Sequence, residues 1–172
     1  MTERLKAERA ARRGLLGDYR NAFTDDPSVK GVQRTVANTN IFSHGGKLLA
    51  IKEDGPPYAI DPVTLETKGV WDWNGQMTAT AFTAHPKIDP VNGELVGYSY
   101  AARGEATDDL ACWAFDKDGR KTWEVWFKSP YPGMIHDCAI SEHYLVLALI
   151  PQVMDLERLK RGGIAFQWEP SL

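Results

Sequence analysis

Hydrophobic and polar residues follow two different rhythms along this chain. Residues 2–16 are rich in Ala, Leu, Arg, Lys and Glu, all good helix formers, and Gly14 and Gly17 close the segment; this predicts a short N-terminal helix. A polar loop, residues 18–27, follows. From about Thr35 the texture changes to strands and turns. Residues 41–44 run into Gly45-Gly46, and residues 47–52 follow, which is a hairpin signal. Tight-turn chemistry then recurs at Asp61-Pro62-Val63-Thr64-Leu65, Asp89-Pro90-Val91-Asn92-Gly93 and Asp116-Lys117-Asp118-Gly119, about 27–28 residues apart. Apolar and aromatic runs flank these turns, at residues 70–73, 97–100, 112–115 and 123–127. The predicted class is all-β. Hairpins at regular spacing fit propeller blades, a sandwich or a barrel, and the repeat alone does not choose among them.

Near the end, residues 153–160 read as a short helix before Gly162-Gly163, and residues 164–168 as another strand. The sequence stops four residues after Trp168. A sheet halted there leaves an unpaired edge, which complete folds normally cover, so the chain is expected to be cut from something longer.

Composition narrows the picture. At 172 residues, 43% hydrophobic and 25% charged, the chain has the make-up of an ordinary globular domain or a part of one. A net charge of −3 offers no electrostatic footprint for nucleic acid. Arg4, Lys6, Arg9, Arg12 and Arg13 bunch at the start but are interleaved with Glu3 and Glu8, as on the solvated face of a helix. No apolar run approaches the ~18–20 residues of a membrane span, and the N-terminus lacks the apolar core of a secretory signal. Cys112 and Cys138 are read as free thiols in a reducing cytosol, so the expected location is cytoplasmic.

The candidate chemistry centres on His85 and His136, in Thr83-Ala84-His85-Pro86 and Met134-Ile135-His136-Asp137. Neutral imidazole is the commonest protein ligand for iron, copper and zinc. Taken singly, each histidine has a blander reading as a packed or surface residue beside an apolar run. Pro86 biases His85 to an extended backbone. Asp137 reads as a solvated or turn residue.

Several stretches in one order carry a resemblance: YRNAFTDDPSV (19–29), ANTN (37–40), HGGKLLAIKEDGPPYAIDPVTLET (44–67), FTAHPKIDP (82–90) and GMIHDCAI (133–140). Through them the chain resembles the carotenoid-cleavage dioxygenases, and within these the lignostilbene (stilbene-cleaving) dioxygenases. The resemblance implies part of a seven-bladed β-propeller, about three blades at residues 1–172, without the C-terminal blades. It also implies a non-haem iron(II) (Fe2+) held by histidines on the propeller axis.

By motif His85 and His136 match the first two of four histidine ligands, the others falling beyond residue 172; His44 and His143 match none. Glu53 matches a glutamate that accepts the far N–H of a ligand histidine, here His136; its plainer reading is a surface carboxylate. Lys52 and Tyr19 match a pair that contacts the 4-hydroxyl of a phenolic substrate. A cation there favours the phenolate and pushes electron density into the conjugated double bond. On strand alternation alone, Lys52 would face away from Glu53 as a solvated lysine. Thr39 matches a residue that crowds an open metal position, or else is a strand threonine. The tryptophans and Phe82 read as blade packing.

The implied reaction is cleavage of the central C=C bond of a hydroxystilbene, or of a related apolar polyene, by O2 to two aromatic aldehydes, with no organic redox cofactor. The rivals are carotenoid or apocarotenoid cleavage, and a catalytically incomplete propeller fragment. The same resemblance leaves open a dimeric parent.

Overall fold

A computed structural model describes residues 1–172. Helix α1 spans Glu3–Ala11, capped by the Thr2 hydroxyl, which accepts from the Leu5 N–H. It ends earlier than helix propensity predicts. Arg12 turns left-handed (φ 55°), and the N–H groups of Arg12 and Arg13 bond back to Arg9 and Glu8. Glu8 then accepts from the Leu15 and Leu16 N–H groups through Oε1, at 3.1 and 3.2 Å. Those two leucines are buried with Val29. The helix thus stops five residues short of its predicted end, and the chain instead buries Leu15 and Leu16 beside Val29.

Two four-stranded antiparallel meanders follow. The first comprises β1 (Asn40–His44), β2 (Lys47–Ile51), β3 (Tyr58–Ile60) and β4 (Thr67–Val70), paired in that order. Gly45 and Gly46, both at positive φ, make the tight β1–β2 turn, with His44 opposite Lys47. The second comprises β5 (Lys87–Ile88), β6 (Leu95–Tyr100), β7 (Asp109–Phe115) and β8 (Lys121–Lys128), again in chain order. The three aspartate turns lie where expected: the carboxylates of Asp61, Asp89 and Asp116 each accept backbone N–H groups two to four residues on. They close β3–β4, β5–β6 and β7–β8. Two of them therefore belong to one sheet, and the 27–28-residue spacing is not the blade repeat. Equivalent first strands begin at residues 40 and 87, a spacing of 47.

The remaining strands are short. β9 (Gly133–Met134) pairs with β12 (Ile150–Val153), which also pairs with β13 (Gln167–Trp168), while β10 (Cys138–Ile140) pairs with β11 (Leu145–Leu147). The apolar run at residues 144–151 is thus divided between two sheets. Helix α2 is confined to Leu156–Lys160, capped by Asp155, and Val153 belongs to a strand instead. Residues 164–166 do not join the final strand.

Both faces of the second meander are covered at its two central strands, so every residue of β6 is buried and β7 is buried from Leu110 onward, while β8 stays largely exposed. On one side Leu49 and Ala59 of the first meander share a core with Trp73, Phe82, Leu95, Trp113 and Phe115. Trp73 stacks on Phe115 with ring centroids 4.5 Å apart. On the other, Tyr98, Tyr100, Leu110 and Cys112 pack with Ile135, Cys138 and Met154. Successive sheets stacked face to face in chain order are the arrangement of propeller blades. Cys112 and Cys138 are free and buried, and burial raises the Cys112 thiol to about 12. No helix is long and apolar enough to cross a membrane.

Candidate metal centre

His85 sits at the end of the link between the two meanders, and that link is tied down residue by residue. The Phe82 N–H donates to the Gly55 carbonyl and the Thr83 N–H to that of Tyr98. The Thr83 hydroxyl accepts from the His85 N–H at 2.9 Å, and Asn40 Nδ2 donates to the Ala84 carbonyl at 3.1 Å. Phe82 can press against β6 because residue 97 is glycine: a Cβ there would stand 2.4 Å from the phenyl ring.

His136 leaves the short stretch between β9 and β10. Tyr98 donates its hydroxyl to the Ile135 carbonyl at 3.0 Å, inside the core. Lys87 and Asp137, neighbours of the two histidines in sequence, pair at 2.7 Å and join the two segments directly. The same Asp137 oxygen accepts the Cys138 N–H at 2.7 Å.

These ties bring His85 Nε2 to 3.1 Å from His136 Nε2, with the rings inclined at 71°. Behind His136, Glu53 Oε1 lies 3.2 Å from Nδ1. A carboxylate oxygen only accepts, so Nδ1 carries the proton and Nε2 of His136 presents a lone pair towards His85. At 3.1 Å that lone pair is met either by an N–H donated from His85 Nε2 or, where His85 Nε2 is also bare, by a cation between the two nitrogens. With metal–nitrogen bonds of about 2.1 Å, a 3.1 Å separation corresponds to an N–metal–N angle of about 95°, that of adjacent ligands on one ion. The pair fits a shared metal. No third histidine, cysteine or carboxylate joins them in one cluster.

Glu53 is 8% exposed. Its Oε1 is also 3.4 Å from the Tyr19 hydroxyl, a long contact. Lys52 reaches the same tyrosine from another side, with Nζ 4.6 Å from the ring centroid and 3.5 Å from Asp54 Oδ2. Strand alternation does not separate Lys52 from Glu53, because β2 ends at Ile51 and both residues follow it. Burial, with Tyr100 and Glu53 nearby, pushes the Tyr19 phenol well above the ordinary tyrosine range, so it keeps its proton.

Thr39 is exposed; its N–H donates to the Ile51 carbonyl at 3.0 Å, and its hydroxyl makes no hydrogen bond. It precedes Asn40, the residue that holds Ala84. His44 lies apart, buried at the β1–β2 turn, and burial lowers its pKa. His143 is exposed at the β10–β11 turn.

Sequence reading missed the anchors Tyr98, Asn40 and the Lys87–Asp137 pair. Their partners lie 37, 44 and 50 residues away, beyond the reach of any local pattern. The one available signal was the Tyr98-Ser99-Tyr100 alternation, which puts two tyrosines on one face of a strand.

The chain as a whole has known relatives in sequence and in fold. A family profile described as "Retinal pigment epithelial membrane protein" matches residues 1–172. The resveratrol cleavage oxygenase 1 of Chaetomium globosum is 55% identical over 173 aligned positions, covering 99% of this chain and 29% of that protein. The isoeugenol monooxygenase of Pseudomonas nitroreducens is 52% identical, covering 99% of this chain and 36% of that protein. Among solved structures, the lignostilbene dioxygenase of Pseudomonas brassicacearum superposes with a TM-score of 0.95 at 48% identity, over 100% of this chain and 36% of that one. The chain therefore spans about a third of the length of the relatives it matches.

Proposed function

Since the chain belongs to the retinal pigment epithelial membrane protein family, the carotenoid cleavage oxygenases, we propose that it is the substrate-anchoring part of an iron(II)-dependent dioxygenase that splits the C=C bond conjugated to a phenol. The substrate class is a 4-hydroxystilbene or a related 4-hydroxyphenyl alkene. One O2 adds its two oxygen atoms to the two alkene carbons and gives two carbonyl products, aromatic aldehydes for a stilbene, with no external reductant. The observation that carries the reading is the 3.1 Å approach of His85 Nε2 to His136 Nε2, with Glu53 behind His136.

Iron(II) held by these imidazoles together with further ligands would supply the site at which O2 is activated beside the alkene. The protein's own residues do the rest. Glu53 fixes the His136 tautomer and makes its Nε2 a stronger donor. Lys52 and Tyr19 receive the substrate's phenol: the ammonium favours the phenolate, while Tyr19, held protonated, donates a hydrogen bond. Negative charge on that oxygen enriches the conjugated double bond, where oxygen must add. The relatives named for resveratrol, isoeugenol and lignostilbene all point to phenols conjugated to an alkene. A carotenoid lacks such a phenol and would leave the Lys52–Tyr19 pair without a role.

With only two donors in the cluster, the isolated chain is expected to hold metal weakly. The test is a chimera in which this chain replaces the aligned third of the Pseudomonas brassicacearum lignostilbene dioxygenase. It should bind one iron and consume O2 with a 4-hydroxystilbene. A chimera that folds and loads iron yet consumes O2 with no phenolic alkene would reject the proposal.

A further inference from the structure

We propose, resting on the reading that Tyr19 contacts a phenolic substrate, that Arg20 and Glu105 are positioning residues that aim Tyr19 and thereby set affinity for the phenol. The two neighbours Tyr19 and Arg20 point opposite ways. Tyr19 lies outward, over Lys52 and beside Glu53. Arg20 turns inward, 1% exposed, and its backbone is left-handed at φ 54°. A non-glycine residue adopts that conformation only where its surroundings hold it.

The surroundings do so twice over. Arg20 Nε donates to Glu105 Oε2 at 2.8 Å, and the guanidinium lies over the Tyr100 ring, 4.5 Å from its centroid. Burial opposes the Arg20 charge, but Tyr100 and Glu105 outweigh it and raise its pKa, so the guanidinium stays charged.

Other contacts already keep this loop attached. Asn21 Nδ2 donates to the Leu159 and Gly163 carbonyls, and Arg34 donates to the Asp18 and Asn21 carbonyls and to Asp25. What Arg20 adds is direction: its inward anchorage throws Tyr19 outward. Tyr100, under Arg20, and Tyr98, which holds Ile135, are alternate residues on one face of β6. One strand face thus sets the substrate-side tyrosine and the His136 segment in a common frame.

The test is a double-mutant cycle on metal-free chimera, with 4-hydroxystilbene binding followed by fluorescence and amide hydrogen exchange followed in parallel. Glu105→Gln and Tyr19→Phe should each weaken binding about tenfold, and the double variant no more than either alone. Glu105→Asp should recover most of the affinity. Exchange should quicken at residues 18–21 in Glu105→Gln and stay unchanged in β6 and β7. Additive losses, or unchanged exchange at residues 18–21, would overturn the positioning role. Should the unsubstituted protein bind no 4-hydroxystilbene, the phenol reading and this role fall together; failure of the cycle alone leaves that reading standing.

Discussion

Tyr98 donates a hydrogen bond from its hydroxyl to the backbone carbonyl of Ile135 at 3.0 Å, so a strand of the second meander anchors the segment from which His136 projects. The bond is buried, and breaking it leaves an unsatisfied carbonyl in the core. Tyr98→Phe should cost about 1–3 kcal/mol of stability by denaturant unfolding. It should also weaken metal binding by calorimetry, with His136 itself untouched.

Glu53 stands one step behind the proposed metal. Glu53→Gln retains shape but removes the charge that polarises the His136 N–H, and should lower metal affinity about 10–100-fold. Unchanged affinity would show that the 3.2 Å contact does not tune the ligand.

Gly97 is fixed by Phe82 rather than by its own backbone. Its added Cβ would stand 2.4 Å from the ring, so Gly97→Ala should destabilise by about 1–3 kcal/mol, as overpacked cores do. Because Phe82 lies three residues before His85, the same variant should also weaken metal binding.

His44 gives a pH dependence separate from the metal. Its folded pKa lies below the unfolded value of about 6.5, because burial disfavours the charged ring. The unfolded chain therefore binds more protons as pH falls through 6.5, and stability present above that pH is progressively lost below it. His44→Gln should flatten the fall in denaturation midpoint between about pH 7 and pH 5.

Much of this architecture was legible in the residues. The β1–β2 hairpin could be read from Gly45-Gly46, and the aspartate turns from side chains that cap their own loops, since both are local devices. His85 and His136 stood out because each sits in a short segment at the edge of an apolar stretch and matches a motif of the resembled family. What stayed hidden is long-range. Leu15 and Leu16 look like the tail of a helix until their burial with Val29 is seen. Lys52 and Glu53 look opposed until β2 is found to stop at Ile51. The 27–28-residue turn spacing could not choose an architecture, because the aspartate turns close β3–β4, β5–β6 and β7–β8 alike and do not mark where one sheet ends.

The central claim is that His85 and His136 share one divalent ion. The most direct test is titration of the chain with cobalt(II), a paramagnetic stand-in for iron(II), followed by the NMR resonances of its four histidine rings. The imidazole signals of His85 and His136 should shift together along one weak binding curve, while those of His44 and His143 stay in place, and His85→Ala should abolish the shift at His136. If either ring responds alone, or if His136 still shifts fully when His85 is alanine, the shared centre does not exist.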